Sequence, residues 1–306
     1  MKRGFTLIEL VVVLAVLAVV THLAVREMSH LRDDRLRQVA DRQLADIRDA
    51  VWRARPGEEP AGFVVDMGRL PRASVRTNGE ETLSVTIDEL WRRPAGGRPY
   101  TLLPATVANL VGPQTNELAD AEVLVGCGWR GPYVRLPSGA DRFTDAWGNR
   151  MENRDDAGYD RLLGASGGAA AAGDDVWGLR HFGSDGRSDA DVPPADASCR
   201  DAEVRFLPVG GTTNTLAVAA SFVDGASPRP VDGTVRFRWY APCGGAITGA
   251  VATVVLEGAS LATCRFEAVP PGVATLVVQV GNRKCAQERI VVPPGGRAVS
   301  MKVLVP

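Results

Sequence analysis

The sequence is poor in the residues on which proton transfer and metal catalysis depend. Three histidines occur in 306 residues, with no H-E-x-x-H run, no Walker loop and no dinucleotide-binding glycine fingerprint. Zinc-peptidase, nucleotide-hydrolase and dehydrogenase readings therefore find no support, and His22, His30 and His181 read as packing or interface groups. Gly164-Ala165-Ser166-Gly167-Gly168 has the spacing of a serine nucleophile elbow. It lies in alanine and glycine filler rather than between a strand and a helix, so no catalytic residue is assigned and the chain does not read as an enzyme. Charge of one sign is lacking too: a formal net charge of −1 gives no reason to expect nucleic acid or an acidic partner. Aromatic residues make up 6% of the chain, whereas 33 glycines and 20 prolines point to β-structure and loops. No C-x-x-C occurs among Cys127, Cys199, Cys243, Cys264 and Cys285. Structural disulfides are expected rather than zinc or redox chemistry, with one thiol left over and the pairing open.

What is present begins at the N terminus. From residue 5 to residue 25 the only charge is Glu9, and a helix there would be about 31 Å long, enough to cross a bilayer core. Lys2 and Arg3 place the N terminus in the cytoplasm, and the cysteines then lie on the oxidising side. The leader is four residues long and no A-x-A site follows, which argues against an ordinary secretory signal. A carboxylate inside such a run is costly and needs a partner. Beyond Val25, apolar residues recur at three-to-five-residue intervals among charges, predicting an amphipathic helix to about residue 55, where Pro56-Gly57 stops it. Asp33 and Arg37 have the favourable acid-then-base spacing on its outer face.

Gly4-Phe5-Thr6-Leu7-Ile8-Glu9 after the short basic leader resembles the type III signal of type IV pilins and pseudopilins. The resemblance implies that prepilin peptidase cuts after Gly4, that Phe5 becomes the N-methylated terminus, and that Glu9 faces the terminal amine of a neighbouring subunit. It also implies other pilin-like subunits and an inner-membrane assembly platform as partners. The location it implies is the inner membrane before assembly, and a periplasmic or extracellular filament after. Gly131-Pro132-Tyr133 with Thr144-Asp145-Ala146-Trp147-Gly148-Asn149 is similar to a segment of the major pseudopilins of type II secretion. In that segment Asp145 can bond its own backbone and Gly148 supplies a positive φ. Residues 181–192 resemble the calcium loop of the same family, with Asp185, Asp189 and Asp191 as the implied ligands. The chain departs from that pattern in a shorter connection that lacks the family's Gly-Gly.

After a linker at residues 193–198 the composition changes to short alternating strands. They are expected at 204–207, 216–223, 235–240, 250–256, 264–269, 273–280, 289–292 and 299–305, with Val235, Phe237 and Trp239 on one face and Arg236, Arg238 and Tyr240 on the other. That density argues a β-sandwich, and the Pro-Pro-Gly turns at 270–272 and 293–295 resemble the carboxypeptidase-regulatory or transthyretin-like sandwich. The expected fold is α+β: a long N-terminal pilin helix packed on a small antiparallel sheet, followed by an all-β sandwich. Its parts are a leader (1–4), a membrane and spine helix (5–55), a head (56–192) and a sandwich (199–306). The functional expectation is a structural subunit of a type II secretion or type IV pilus filament. The alternative is a filament-delivered adhesin or substrate-binding subunit, with a secreted substrate or surface ligand engaged by the sandwich.

Overall fold

The computed structural model describes residues 7–78, 81–153, 160–189, 199–208 and 214–305. The chain begins with α1 (Leu7–Val51), a 45-residue helix. Ala40, Leu44, Ile47 and Val51 are buried at helical spacing, and the last three join a core with Phe63, Met67, Leu70, Leu90 and Leu179. Each such side chain contributes about 1.5–3 kcal/mol. The helix ends four residues before the predicted stop because the chain doubles back on it. Arg53 and Ala61 exchange backbone hydrogen bonds of 2.9 Å in each direction, and Gly62 lies so close to the carbonyls of Ala50 and Val51 that a Cβ would sit under 3 Å from both.

α2 (Phe63–Met67) follows, then a hairpin of β1 (Ser74–Asn78) and β2 (Glu81–Thr86), and a ribbon of β3 (Thr101–Ala105) and β4 (Asp120–Cys127) with α3 (Thr115–Leu118) between its strands. Thr86 with Glu89 three residues on has the spacing of a capping box and predicts a helix ahead of Leu90-Trp91, but the segment is a 3-10 turn, Asp88–Leu90. Glu89 does not close a capping box there, since Arg69 takes it in a two-pronged ion pair of 2.7 and 2.8 Å. Arg142 to Asn153 form turns and isolated bridges. β5 (Leu162–Leu163), β6 (Gly178–His181) and β7 (Ala202–Arg205) make a three-stranded antiparallel sheet. β7 was expected in the sandwich. Its pairing with β6, and the burial of Phe206 and Leu207 in the head core, place it in the head instead.

The C-terminal part is two facing sheets. One runs β11 (Ala246–Ala259), β10 (Val231–Cys243), β13 (Gly272–Val280), β14 (Arg283–Val292), all antiparallel. The other runs β12 (Leu261–Val269), β8 (Asn214–Asp224), β15 (Arg297–Leu304), with the short β9 (Ser227–Pro228) also on β8 and with β15 parallel to β8. Val235, Phe237 and Trp239 enter the core between the sheets, as their alternation predicts. All five cysteines are free thiols, not the disulfides expected. Cys127, Cys243, Cys264 and Cys285 stand on four different strands, and burial pushes the thiols of Cys127 up to about 11 and of Cys264 up to about 12.

Head and sandwich are docked, not strung on a linker. Tyr240, expected on the open face of β10, is fully buried under the β3–β4 ribbon, where Leu118, Val123 and Val125 pack with Ile247 and Val277. Its hydroxyl donates to the Leu118 carbonyl at 2.7 Å. Gly244 N–H donates to Met67 O at 2.7 Å, and Gly68, at φ 67°, is so close that a Cβ would overlap the Pro242 carbonyl oxygen. Gly68→Ala therefore meets both a left-handed backbone, about 1–2 kcal/mol, and a collision across the junction. Gly57→Ala, at φ 80° with nothing within 4 Å, meets only the first. Thermal melting should show the larger loss for Gly68→Ala, and equal losses would contradict close docking.

Candidate functional site

Two regions carry the residues singled out by the sequence. The first is the exposed part of α1. From Ile8 to Val25 every apolar side chain described is exposed, Ile8 at 72%, Leu14 at 57% and Val25 at 62%, with Met28 and Leu31 continuing the surface. A helix that is apolar on all sides needs cover from lipid or protein, and none of the described residues folds over it. Glu9 lies within the helix, while Gly4 and Phe5 lie outside the described residues. Among the described residues no helix is long and apolar enough to cross a membrane. The described uncharged run, residues 10–25, would be about 24 Å long.

Farther along the same helix, Asp41 points toward the head. His181, fully buried at the end of β6, places Nε2 3.0 Å from Asp41 Oδ1. Its Nδ1 accepts the Gly183 N–H at 3.3 Å. That acceptance sets the tautomer in which Nε2–H donates to Asp41. The Trp147 ring lies 5.5 Å from the imidazole. Arg37, expected to pair with Asp33, lies 3.8 Å from Asp41 and donates to the Arg200 carbonyl at 3.2 Å. Helix, β6 and the start of β7 are thus joined by polar contacts that local sequence patterns do not reveal. The turn predicted around Asp145 forms: its carboxylate accepts the N–H groups of Trp147 at 3.0 Å and Asn149 at 2.8 Å, and Gly148 has φ 87°. Ser166 is not on an elbow, because β5 is followed by a turn in which Gly164 N–H donates to Gly168 O at 2.7 Å.

The second region is the acidic loop after His181. Asp185 Oδ1 accepts the Arg187 N–H at 3.1 Å. Asp189 and Asp201 are locked together, each backbone N–H donating to the other's Oδ2 at 3.1 Å. Asp191 lies outside the described residues. Asp201 was missed by the sequence because it falls in the segment assigned to the sandwich, and only the pairing of β7 with β6 brings it here. Its Oδ1 is buried with no hydrogen-bond partner among the described residues. Burial raises the Asp201 carboxyl above the ordinary range, and the charges of Asp189 and Asp185 add to the rise, against the Asp189 N–H and Arg180. Among the described residues no three His, Cys, Asp or Glu side chains converge to hold a metal by themselves. A polar cleft of about 320 Å³, lined by Asn149, Glu152, Arg161 and Asp185, lies beside the loop.

A family model described as the prokaryotic N-terminal methylation motif matches residues 1–25. The motif is the type IV prepilin-like signal, which marks a pilin-like subunit that is processed by prepilin peptidase and assembles with others of its kind. No match is found among curated proteins.

The His181–Asp41 contact gives a direct test of how the head is held on the helix. Asp41→Ala leaves a buried N–H without an acceptor and should cost about 1–3 kcal/mol. Asp41→Asn, which keeps an acceptor oxygen, should melt close to wild type. Equal losses in the two variants would contradict this role.

Proposed function

We propose that the chain is a structural subunit of a type II secretion or type IV pilus filament, released from its leader between Gly4 and Phe5 and assembled through α1. The observation that carries this reading is the helix surface from Ile8 to Val25, exposed on every side and uncovered among the described residues, inside the segment that matches the methylation motif. In this reading the helix waits in the inner membrane as a single span with its N terminus in the cytoplasm. On assembly, lipid is replaced by the helices of neighbouring subunits. Glu9 meets the Phe5 amine of a neighbour, so that two charges costly alone are buried as a pair. Breaking a buried pair by removing one member costs about 3–5 kcal/mol. Glu9→Ala should therefore insert in the membrane as wild type does but enter filaments at least about tenfold less, measured by immunoblotting of sheared filaments against membranes. Wild-type incorporation would contradict the assigned role.

Calcium is a second part of the proposal, held at the acidic loop. In its support, the donor set is carboxylate oxygen, the class that calcium prefers, and Asp201 Oδ1 is a buried acceptor without a donor among the described residues. Asp189 and Asp201 would hold the ion, with Asp185, Asp191 and backbone carbonyls completing the shell; bound there, it would supply the positive charge that this cluster lacks. A calcium concentration one hundred times the dissociation constant should stabilise the protein by about 2.7 kcal/mol. Asp201→Asn should lose most of that gain. No thermal shift with calcium, or the same shift in the variant, would contradict the site.

A further inference from the structure

The junction of head and sandwich encloses a cavity of about 290 Å³ that neither the filament reading nor the acidic loop uses. It lies where α2, the β3–β4 ribbon and the outer face of β13–β14 meet. Val65, Leu124 and Val273 form its apolar wall. That volume is at the lower end of known ligand sites, and a domain junction is where such sites concentrate.

Two of its polar groups, Arg130 and Arg289, are cations whose donors are incompletely used. Arg289 is 61% exposed and makes one ion pair, at 2.8 Å to the exposed Glu59, which an incoming anion can displace. Arg130 stacks 3.8 Å above the Tyr100 ring and directs one nitrogen to Asp66 at 3.2 Å. A guanidinium offers five donors, so most of both forks are free. The one carboxylate, Asp66, is 4% exposed and is already engaged on both oxygens, by Arg130 and by the Tyr133 hydroxyl at 3.0 Å. Asp66 and Glu59 balance the two guanidiniums until Glu59 is displaced, when one positive charge is left over at the Arg289 fork. Thr275 is independent of that balance: it is 8% exposed, it lines the cavity, and its hydroxyl has no hydrogen-bond partner among the described residues. In the β13–β14 register it stands directly opposite Arg289, which places the two side chains on one face about 5 Å apart at Cβ.

We propose that this junction cavity binds an aliphatic carboxylate of about amino-acid size. The branched chain lies against Val65, Leu124 and Val273, and the carboxylate is received by the Arg289 fork and the Thr275 hydroxyl, with Arg130 as the second cation. The inference rests on the junction alone and stands or falls separately from the filament reading. A free branched-chain acid and the last residue of a peptide share this chemistry.

Isothermal titration calorimetry on the full chain in detergent micelles tests it. N-acetyl-L-leucine should bind saturably, and N-acetyl-L-leucinamide, which lacks the charge, at least about tenfold more weakly. Arg289→Gln should weaken binding about five- to tenfold and Thr275→Val about threefold without moving the melting curve. Glu59→Gln, which frees Arg289, should tighten binding, an effect that a purely structural role for the pair does not produce. Acetyl-Gly-Gly-Leu binding more tightly than N-acetyl-L-leucine supports the proposal and marks a peptide terminus as the source. 4-Methylpentanoate binding as tightly as either supports it with a small acid as the source. No saturable heat, equal binding of acid and amide, or unchanged affinity in Arg289→Gln overturns it.

Discussion

An apolar helix surface left bare among the described residues is the constraint on which the rest of the structure depends. α1 is one continuous helix with two environments. Its first half exposes valine and leucine on every side, and its last turns give Leu44, Ile47 and Val51 to the head core. The head is therefore built on a short stretch of a long rod and cannot shield the remainder. Burying that surface is favourable only with lipid or neighbouring helices, so the fold of the monomer is incomplete by construction. The proposed assembly supplies the missing partner through the same hydrophobic effect that folds the head.

The second constraint is backbone contact between head and sandwich. Met67 and Gly68 meet Pro242 and Gly244 with no side chain between them, and the β3–β4 ribbon covers Tyr240. The sandwich is thus held in a fixed orientation to the helix by packing and hydrogen bonds. Any ligand taken at the junction would be presented in that same frame.

Much of this architecture was legible in the sequence because it follows from period and punctuation. The alternation of Val235, Phe237 and Trp239 marks a core face, and Asp145 with Gly148 marks a turn. What remained hidden depends on contacts distant in the chain. Tyr240 is buried because a ribbon more than a hundred residues earlier lies over it. Glu89 is drawn out of a capping box by Arg69, and β7 is claimed by a head strand rather than by its sequence neighbours. Asp201 and the His181–Asp41 contact escaped for the same reason, since nothing local says that β7 pairs with β6 or that His181 meets the helix. Free thiols stand where disulfides were expected because cysteine count and compartment do not fix whether two sulfurs meet.

The most direct test of the central claim is the N-terminal peptide of the protein recovered from sheared surface filaments, analysed by mass spectrometry beside the membrane fraction. Assembly through a processed α1 gives a filament pool that begins at an N-methylated Phe5. A filament pool retaining Met1, or a processed protein found only in membranes, would contradict it.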